Sequence, residues 1–328
     1  MLLVADVGGT KTKIALFDSK KPLKCIDEKN YSSKAFKALS DIIEDFLKHQ
    51  SKEITSACFG VAGPVKKNRV QATNLPWVID AKDLSKKLNI SKVHLINDLE
   101  ANAWGIQSLK EKDFFILNEG EHHPGNAALI SAGTGLGEAG LYWDGKQHLP
   151  FACEGGHTDF GPRSDLEVEL YLYLQKKYGH VSYERVVSGP GIQELYEFLI
   201  NTGKEKRQFD LNLVEDPPMY ISEMGTKEKD PACIKALHWF VSLYGAEVGN
   251  AALKFLSMGG VYIGGGIAPK ILEVIKKDKL DGFPGFFKSF EEKGRMIDIL
   301  EVMPVKVVLE ARTALLGSAE YALMKESK

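Results

Sequence analysis

The sequence contains few cysteines, and they are far apart. Among its 328 residues there are four, Cys25, Cys58, Cys153 and Cys233, and no two of them form a CxxC pair. This spacing does not suggest a disulfide framework; free buried thiols in a reducing cytoplasm explain it best. We therefore predict a cytoplasmic protein.

Long hydrophobic runs and an excess of charge are also missing. No apolar segment approaches the roughly 18 to 20 residues that span a bilayer, and Met1 to Asp6 leads into a strand-like segment without the features of a secretory signal. The formal net charge is -2, with lysine and arginine spread along the chain. This distribution gives no basic footprint for nucleic acid, so we expect a small-molecule partner and neither nucleic acid nor membrane.

What the sequence does contain is an ordinary globular composition. Hydrophobic residues make up 44% and charged residues 26%, which leaves no room for a long disordered segment. The chain is longer than a single hydrophobic core usually supports, so two domains are expected.

Strand and helix patterns alternate along the first third of the chain, which predicts the α/β class. A strand is predicted over 2–7, a glycine loop at 8–10 and a second strand over 13–17. These are followed by an amphipathic helix over 36–47 and strands over 54–61 and 93–96.

The same strand–loop–strand pattern returns around residues 126–145, with the loop Gly133-Thr-Gly-Leu-Gly137. Its repetition suggests two halves. Further helices are predicted over 164–174, where Ser164 and Glu167 form a capping-box pattern, and over 192–199, 231–255 and 313–324. A third glycine cluster, Gly264-Gly265-Gly266, follows a short strand, and the polar segment 206–229 is interpreted as a surface excursion.

Two familiar nucleotide-binding patterns fail on inspection. Residues 140–146 fit the start of a P-loop, but Gln147 replaces the required Ser or Thr and no helix pattern follows. Residues 135–140 fit GxGxxG, yet a strand and a turn follow where a dinucleotide site needs a helix. A nicotinamide or flavin enzyme is therefore a minor hypothesis.

The glycine clusters themselves favour a nucleotide site. Glycine allows the backbone to approach an anion closely and to present N–H groups to phosphate oxygens; a tight hairpin is the alternative for any single cluster. Asp6, inside an apolar strand beside the first loop, is costly to bury alone. We interpret it as a magnesium ligand acting through water, with a carboxylate held by loop N–H groups as the alternative.

Six motifs, in order along nearly the whole chain, together resemble the bacterial glucokinase family. They are Asp6-Val-Gly-Gly-Thr-Lys11, Leu95-Ile-Asn-Asp98, Ala132-Gly-Thr-Gly-Leu-Gly137, Glu154-Gly-Gly-His157, His180-Val-Ser-Tyr-Glu-Arg-Val-Val-Ser-Gly-Pro-Gly191 and Ala311-Arg-Thr-Ala-Leu-Leu-Gly317.

The resemblance implies the actin-like ATPase (ribonuclease H-like) fold, with two domains around a central cleft. The small α/β domain would comprise residues 1–110 plus a C-terminal segment from about 306 to 328, and the large α/β domain residues 111–305. It also implies ATP-dependent phosphorylation of D-glucose at the 6-hydroxyl, by which glucose enters glycolysis, with Mg²⁺ as cofactor and a homodimer as the common assembly.

The sequence departs from a related group of sugar kinases and transcriptional repressors in one respect. That group carries a zinc-binding CxCGxxGC cluster after the EGGH-type motif, whereas here the stretch from Gly161 to Glu169 has no cysteine. We therefore expect no structural zinc. No helix-turn-helix pattern precedes the first strand either, so a repressor role is not supported.

Phosphoryl transfer requires an oriented acceptor hydroxyl, and a nearby carboxylate should be decisive. Asp98 is the candidate catalytic base, because it follows the strand that ends at Asn97, where α/β sheets place ligands. The alternative is a simple helix-capping aspartate.

The resemblance also assigns roles to other residues. Those expected to contact the sugar are Asn97, Asp98, Glu154, His157 and Glu184. Those expected to bind the nucleotide are Asp6, Gly8, Gly9, Thr10, Lys11, Gly133, Thr134, Gly135, Gly265 and Gly266.

From the residues alone, other roles stay open for several of these side chains. Glu154 and His157 could belong to a salt-bridged loop, with His157 as a core histidine, and Glu184 to a helix start. Lys11 could be a solvated loop lysine.

Two functional alternatives stay open as well. The first is a kinase for another hexose, such as fructose, mannose or an N-acetyl amino sugar, and the second is an actin-like nucleotide sensor without sugar chemistry. Polyphosphate as the donor is also not excluded by the sequence.

Overall fold

The computed structural model describes residues 1–50, 53–73 and 75–326. The strands are β1 Leu2–Val7, β2 Lys11–Phe17, β3 Cys25–Ser32, β4 Ser56–Val61, β5 Arg69–Gln71, β6 Val78–Asp80, β7 Lys92–Asn97, β8 Phe114–Asn118, β9 Ala127–Ala132, β10 Leu136–Trp143, β11 His148–Cys153, β12 Gly260–Gly264, β13 Lys279–Leu280, β14 Phe283–Pro284 and β15 Val305–Val308. The helices are α1 Leu39–Leu47, α2 Ala81–Leu88, α3 Asp98–Ile106, α4 Asp165–Tyr178, α5 Gly189–Asn201, α6 Pro217–Thr226, α7 Pro231–Phe255, α8 Leu272–Ile275, α9 Phe286–Glu291, α10 Ile297–Glu301 and α11 Thr313–Glu326.

The chain divides into two compact units. The first comprises Met1–Asp113, Leu149–Ala152 and Glu310–Lys328, and the second comprises Phe114–His148 and Cys153–Leu309. The sequence predicts these boundaries after residue 110 and at about residue 306. Strand and helix alternate in both units, which confirms the predicted α/β class.

The first unit is built on a five-stranded sheet in the order β3-β2-β1-β4-β7. Strands β1, β2 and β3 are antiparallel, whereas β4 and β7 run parallel to β1. Alternate residues of β1 enter different cores, since side chains of a strand point to opposite faces. Leu2 and Val4 pack with residues of α3 and α11, and Leu3 and Ala5 pack with residues of α1 and α2.

Helices α3 and α11 cross closely because each has a glycine at the contact. A Cβ atom added to Gly317 would lie 2.5 Å from the amide nitrogen of Gly105, and one added to Gly105 would lie 2.8 Å from the carbonyl carbon of Thr313. Real side chains do not tolerate such approaches. Gly317, the last residue of the sequence motif that starts at Ala311, therefore has a packing role.

The second unit contains a six-stranded sheet in the order β11-β10-β9-β12-β15-β8. Strands β9 and β10 are antiparallel, and β12 and β15 run parallel to β9. The first unit has the same arrangement, an antiparallel hairpin followed by two parallel strands. This agrees with the repeat that the sequence predicted.

The long helix α7 forms the centre of the second unit. Most of its residues are buried, and it spans the predicted range Pro231–Phe255. The interpretation of 206–229 as a surface excursion is wrong in part, because this segment contains α6, whose Ile221 is fully buried in the main core. A pair of prolines at the start of α6 made the segment look irregular, although proline is well tolerated in a first helical turn.

Other helix boundaries differ from the sequence-based predictions by a few residues. Helix α1 begins at Leu39 rather than Phe36. Ser164 caps α4 by accepting a hydrogen bond from the Glu167 amide at 3.3 Å, but the Glu167 carboxylate accepts from the Arg163 amide instead of completing the capping box. The reciprocal half of the predicted capping box is therefore absent.

All four cysteines are free thiols, of which Cys58 and Cys233 are buried and Cys25 and Cys153 are half-buried. The prediction of buried thiols is thus right for two of them. Over the part of the chain that the structure describes, no helix has the length and apolar character needed to cross a membrane.

Candidate active site

The loop between β1 and β2 is held by hydrogen bonds at both ends. The Gly8 amide donates to the Lys11 carbonyl at 3.0 Å, and the buried Ser33 hydroxyl donates to the Gly8 carbonyl at 2.7 Å. The Ser33 amide donates in turn to the Thr10 carbonyl at 3.0 Å. Thr10 and Lys11 are exposed at the tip of the loop. No sequence motif marks Ser33, which lies 25 residues from Gly8.

Asp6 lies near the end of β1, one residue before the loop begins, and is half-buried. Burial and the neighbouring Asp98 carboxylate raise its pKa from 3.8 to about 6, while Lys13 on β2 opposes them. The two aspartates therefore lie near each other, as the parallel strands β1, β4 and β7 would place them. A pair of like charges of this kind suits a cation.

The turn from β7 into α3 positions Asn97 and Asp98. The Asn97 side-chain oxygen accepts from the Leu99 amide at 2.9 Å and the Glu100 amide at 3.3 Å, so Asn97 is the N-cap. Asp98 is the first residue of the helix, and its carboxylate accepts from the Leu99 amide at 3.0 Å. The alternative of Asp98 as the helix cap is therefore wrong, because Asn97 performs that function.

In the second unit, the β9–β10 loop has a similar internal closure. The Gly133 amide donates to the Gly135 carbonyl at 2.8 Å, and the Gly189 amide at the start of α5 donates to the Gly133 carbonyl at 2.7 Å. Thr134 is exposed. The loop is thus joined to a helix N-terminus, a combination suited to an anionic group.

This loop and α6 enclose a cavity of about 790 Å³, within the usual range for small-molecule sites. One wall consists of the loop and the α5 start, a second of α6 and its flanking residues, and a third of the segment after β12. The lining residues are Gly133, Thr134, Gly189, Pro190, Ile192, Asp216, Pro218, Met219, Ser222, Glu223, Thr226, Lys227, Gly266, Ile267, Lys270 and Ile271.

The glycine cluster after β12 shapes one side of this cavity. Gly265 has a φ of +84°, which favours glycine, and an added Cβ would lie 2.8 Å from the Ser131 hydroxyl. Gly266 lines the cavity, whereas Gly265 lies against β9 and does not. The structure therefore gives the two glycines different positions.

Glu154, His157 and Glu184 lie near one another in the second unit. Glu154 precedes a short 3₁₀ turn, Gly155–His157, and His157 is its last residue; both side chains are exposed. The His157 Nδ1 atom is 3.9 Å from a Glu184 carboxylate oxygen. His157 is therefore not a core histidine, as one interpretation of the sequence had it.

Glu184 connects this group to the β9–β10 loop. Its carboxylate accepts from the Leu136 amide at 2.9 Å, and a Cβ added to Gly135 would lie 2.5 Å from the same carboxylate oxygen. Gly135 thus provides space for Glu184 and is not among the cavity residues. Glu184 itself lies in a 3₁₀ turn, Tyr183–Arg185, and not in an α-helix.

The structure thus places the predicted residues in three groups. The first group, in the first unit, contains Asp6, the loop 8–11, Asn97 and Asp98. The second group lines the cavity of the second unit and contains Gly133, Thr134 and Gly266. The third group, also in the second unit, contains Gly135, Glu154, His157 and Glu184. The α6 wall was not predicted, because no motif marks it. The two rejected nucleotide patterns, residues 135–140 and 140–146, lie in β10 and the turn after it, which confirms their rejection.

Comparison with known proteins connects these features to one family. The family model described as glucokinase matches residues 3–325. Glucokinases from Nostoc punctiforme and Tolumonas auensis are 38% and 35% identical to this chain; the alignments cover 97% and 99% of the chain and 98% and 97% of those proteins.

Solved structures give the same result at the level of the fold. A glucokinase from an Antarctic psychrotroph has a TM-score of 0.82 at 28% identity, with 98% of each chain covered. A Balamuthia mandrillaris glucokinase, solved in complex with glucose, has a TM-score of 0.77 at 20% identity, covering 98% of this chain and 93% of that one.

These findings establish first the class of the protein and then its family. The chain is a sugar kinase with the actin-like ATPase fold, as the sequence motifs implied. It belongs to the glucokinase family.

Proposed function

We propose that this chain transfers the γ-phosphoryl group of ATP to the 6-hydroxyl of D-glucose, giving glucose 6-phosphate, with Asp98 as the catalytic base. The observation that carries the assignment of Asp98 is its position directly after a parallel strand, beside Asp6 and with the helix cap supplied by Asn97. Membership of the glucokinase family supports the reaction itself. The product is the form in which glucose enters glycolysis.

In this proposal Asp98 orients the acceptor hydroxyl and accepts its proton as the oxygen attacks phosphorus. Because Asn97 takes over the capping of α3, the Asp98 carboxylate is not required to cap the helix. The Asn97 amide nitrogen donates to the Gly63 carbonyl at 3.3 Å, and its second N–H is assigned to a sugar hydroxyl. Orientation of this kind accounts for much of the rate in phosphoryl transfer.

We assign the cavity beside α6 to the adenosine part of ATP. Its volume suits a nucleoside, and its walls combine aliphatic side chains with the hydroxyls of Thr134, Ser222 and Thr226. Gly266 is assigned to the wall of this site and Gly265 to its support. Gly133 and Thr134 are assigned to phosphate contacts, and Gly135 to the support of Glu184.

We assign Gly8, Gly9, Thr10 and Lys11 to phosphate contacts as well. The exposed tip of their loop leaves the Thr10 hydroxyl and the Lys11 ammonium group accessible. Ser33 anchors the loop from below through the Gly8 carbonyl. A rigid loop places its donors without a further loss of entropy on binding.

The residues of the first unit also fit a magnesium ion. Asp6 and Asp98 offer carboxylate oxygens, the ligands that Mg²⁺ prefers, and their mutual repulsion favours a cation. When bound, magnesium neutralises negative charge on the phosphates. We propose that Asp6 holds it through water. Within residues 1–50, 53–73 and 75–326, no three His, Cys, Asp or Glu side chains converge as a metal-binding group.

We assign Glu154, His157 and Glu184 to hydroxyl groups of the sugar. Carboxylates accept and an imidazole donates, so such a set distinguishes hydroxyls by their positions on the ring. Glu184 is already oriented by the Leu136 amide, and His157 lies 3.9 Å from it. A site of this kind rejects analogues that lack a matching hydroxyl, since its polar groups would be left unpaired.

A coupled assay with purified protein, ATP, magnesium and a panel of hexoses tests the proposed function. We expect glucose to give the highest kcat/KM; a higher value for fructose, mannose or N-acetylglucosamine would assign another substrate. Sugar-independent ATP hydrolysis without phosphorylation of any hexose would support the sensor alternative. Replacement of ATP by polyphosphate tests the donor.

The homodimer, the cytoplasmic location and the lack of structural zinc remain predictions. Light scattering, cell fractionation and metal analysis of the purified protein test them.

A further inference from the structure

A buried glutamate lies directly beneath the loop that carries Glu154 and His157. A Cβ added to Gly155 would lie 2.6 Å from the Glu138 carboxyl carbon, and one added to Gly156 would lie 2.9 Å from the Leu136 carbonyl carbon. The double glycine is therefore in contact with β10 at two alternate residues of one strand face. The Glu138 carboxyl group supports the first of these glycines.

Glu138 is an unusual residue for this position. Only 1% of its surface is exposed, and the side chain beside its carboxyl group is a second acid, Glu247. A buried carboxyl group in such surroundings is costly, especially when it is ionised. A purely structural support under a glycine would be expected to be apolar, so an acid at this position points to a further role.

The groups around Glu138 come from two elements. Glu247 and Lys254 face it from α7, and Cys153 from β11. Glu247 is fully buried and is bound by the Lys254 ammonium group at 3.2 Å. The positive charge nearest to this pair is thus already committed to Glu247.

Glu247 also connects to the segment that holds Glu184. The Asn250 amide donates to Glu247 at 2.7 Å and to the Tyr183 hydroxyl at 3.0 Å. Tyr183 directly precedes Glu184. The groups that support Glu154 and Glu184 therefore meet in one buried polar network.

Resting on the proposed function, we propose that Glu138 is a positioning residue for the sugar: its carboxyl group supports Gly155 from below and so fixes Glu154 and His157 for binding. The group acts through the loop and does not touch the sugar. The length of the Glu138 side chain matters, because its carboxyl group fills the space left by the missing Cβ of Gly155.

The protonation state of Glu138 governs this support. Burial and the Glu247 carboxylate raise the pKa of Glu138 well above its ordinary value, which favours the neutral acid. Ionisation places a second negative charge beside Glu247 in a buried region, which favours movement of the carboxylate away from Gly155. Glucose affinity is therefore highest where Glu138 is protonated and declines as the pH rises through its raised pKa.

Two substitutions separate shape from charge. Glu138→Gln keeps the shape and remains neutral at every pH, whereas Glu138→Ala removes the support. We expect E138A to raise the KM for glucose about tenfold with little change in the KM for ATP, while E138Q stays within about threefold of the unmodified chain. Between pH 7 and 9 the KM for glucose should rise in the unmodified chain and stay level in E138Q.

Hydrogen exchange of the loop gives a readout that does not depend on activity. The His157 and Thr158 amides donate to the Glu154 and Gly155 carbonyls at 3.1 and 3.0 Å, and these bonds should open more often in E138A but not in E138Q. Glu194→Gln is the matched control, because Glu194 is 8% exposed and bound to Lys177. Loss of this ion pair should lower the stability of the protein without changing the KM for glucose.

Each result has a defined meaning. Lack of glucose phosphorylation by the unmodified chain contradicts the proposed function, whereas an active chain in which E138A keeps its KM for glucose and its loop exchange overturns the role of Glu138. A rise of the KM at high pH in E138Q equal to that of the unmodified chain overturns the dependence on protonation.

Discussion

The two units use the same strand–loop–strand motif for different chemistry. The penultimate residue of β1 is Asp6, and the penultimate residue of β9, in the corresponding hairpin, is Ser131. Near Asp6 lies a second acid, Asp98, whereas Ser131 packs beside the glycine cluster that follows β12. One hairpin therefore presents negative charge and the other presents backbone and small side chains.

The difference between the two hairpins shows that one repeated topology can serve two roles. Both loops are closed by internal hydrogen bonds, so the scaffold is shared. What differs is the set of residues that surround each loop: carboxylates in the first unit, and a cavity with α6 as its wall in the second. Four predictions, from the largest expected effect to the smallest, test this comparison.

The charged chemistry of the first unit predicts a large effect for Asp98→Asn. The amide keeps the shape but cannot accept the proton, so kcat should fall by roughly 100- to 10,000-fold, with the KM for ATP nearly unchanged. Steady-state kinetics measure both. Asp80→Asn, which alters the α2 cap in the same unit, is the control and should keep full activity. A D98N protein with more than a tenth of the original kcat would contradict the base assignment.

The helix crossing in the first unit predicts a large stability effect for Gly317→Ala. Because the new methyl group would overlap the backbone of α3, we expect a loss of about 3 kcal/mol in the free energy of unfolding, measured by urea denaturation. Ser318→Ala at the neighbouring buried position should change it by much less. Equal midpoints for G317A and the unmodified chain would show that the crossing is looser than described.

Asp6→Asn should stabilise the protein without ligands while abolishing its use of magnesium. The folded-state pKa of about 6 exceeds the ordinary value of 3.8, so the stabilisation from protonated Asp6 is present below pH ~4 and is lost as the pH rises through about 6. At pH 7 the asparagine should therefore raise the free energy of unfolding by about 2 to 3 kcal/mol.

Thermal unfolding of D6N and the unmodified chain between pH 4 and 8 measures this difference. The Tm values of the two proteins should be equal near pH ~4 and should differ increasingly toward neutral pH. Magnesium with ATP should raise Tm in the unmodified chain more than in D6N. A constant difference across the pH range would show that Asp6 does not titrate as described.

The cavity of the second unit predicts a smaller, ligand-specific effect. Ser222→Phe on the α6 wall would place a ring in the proposed adenosine site, so the KM for ATP should rise about tenfold while the KM for glucose changes little. Ser222→Ala loses only a hydroxyl that donates to the Pro218 carbonyl at 2.7 Å and is the control. If S222F raised the KM for glucose alone, the cavity would not be the nucleoside site.

Much of the fold could be predicted because its signals are local. The apolar run of β1 and the long helical pattern of α7 predict these elements with the bounds that the structure has. Its position directly after a strand also makes Asp98 the candidate base, which remains a prediction. Short elements such as β5 and β6, of three residues each, carry too little pattern to be recognised.

Features that depend on distant contacts could not be predicted. Ser33 supports Gly8 from 25 residues away, and α6 forms a cavity wall opposite residues of the β9–β10 loop. Glu138 lies inside the GxGxxG pattern that was rejected for dinucleotides, so its meaning appears only when Gly155 is seen above it. In each case the relevant partner is remote in sequence.

The return of α11 to the first unit has a consequence for synthesis of the protein. The face of β1 that carries Leu2 and Val4 is covered by α11, which is translated only after residues 114–309. Most of the second unit is therefore synthesised while the first unit still exposes an apolar sheet face. Early termination of translation before Thr313 would leave that face uncovered and prone to aggregation.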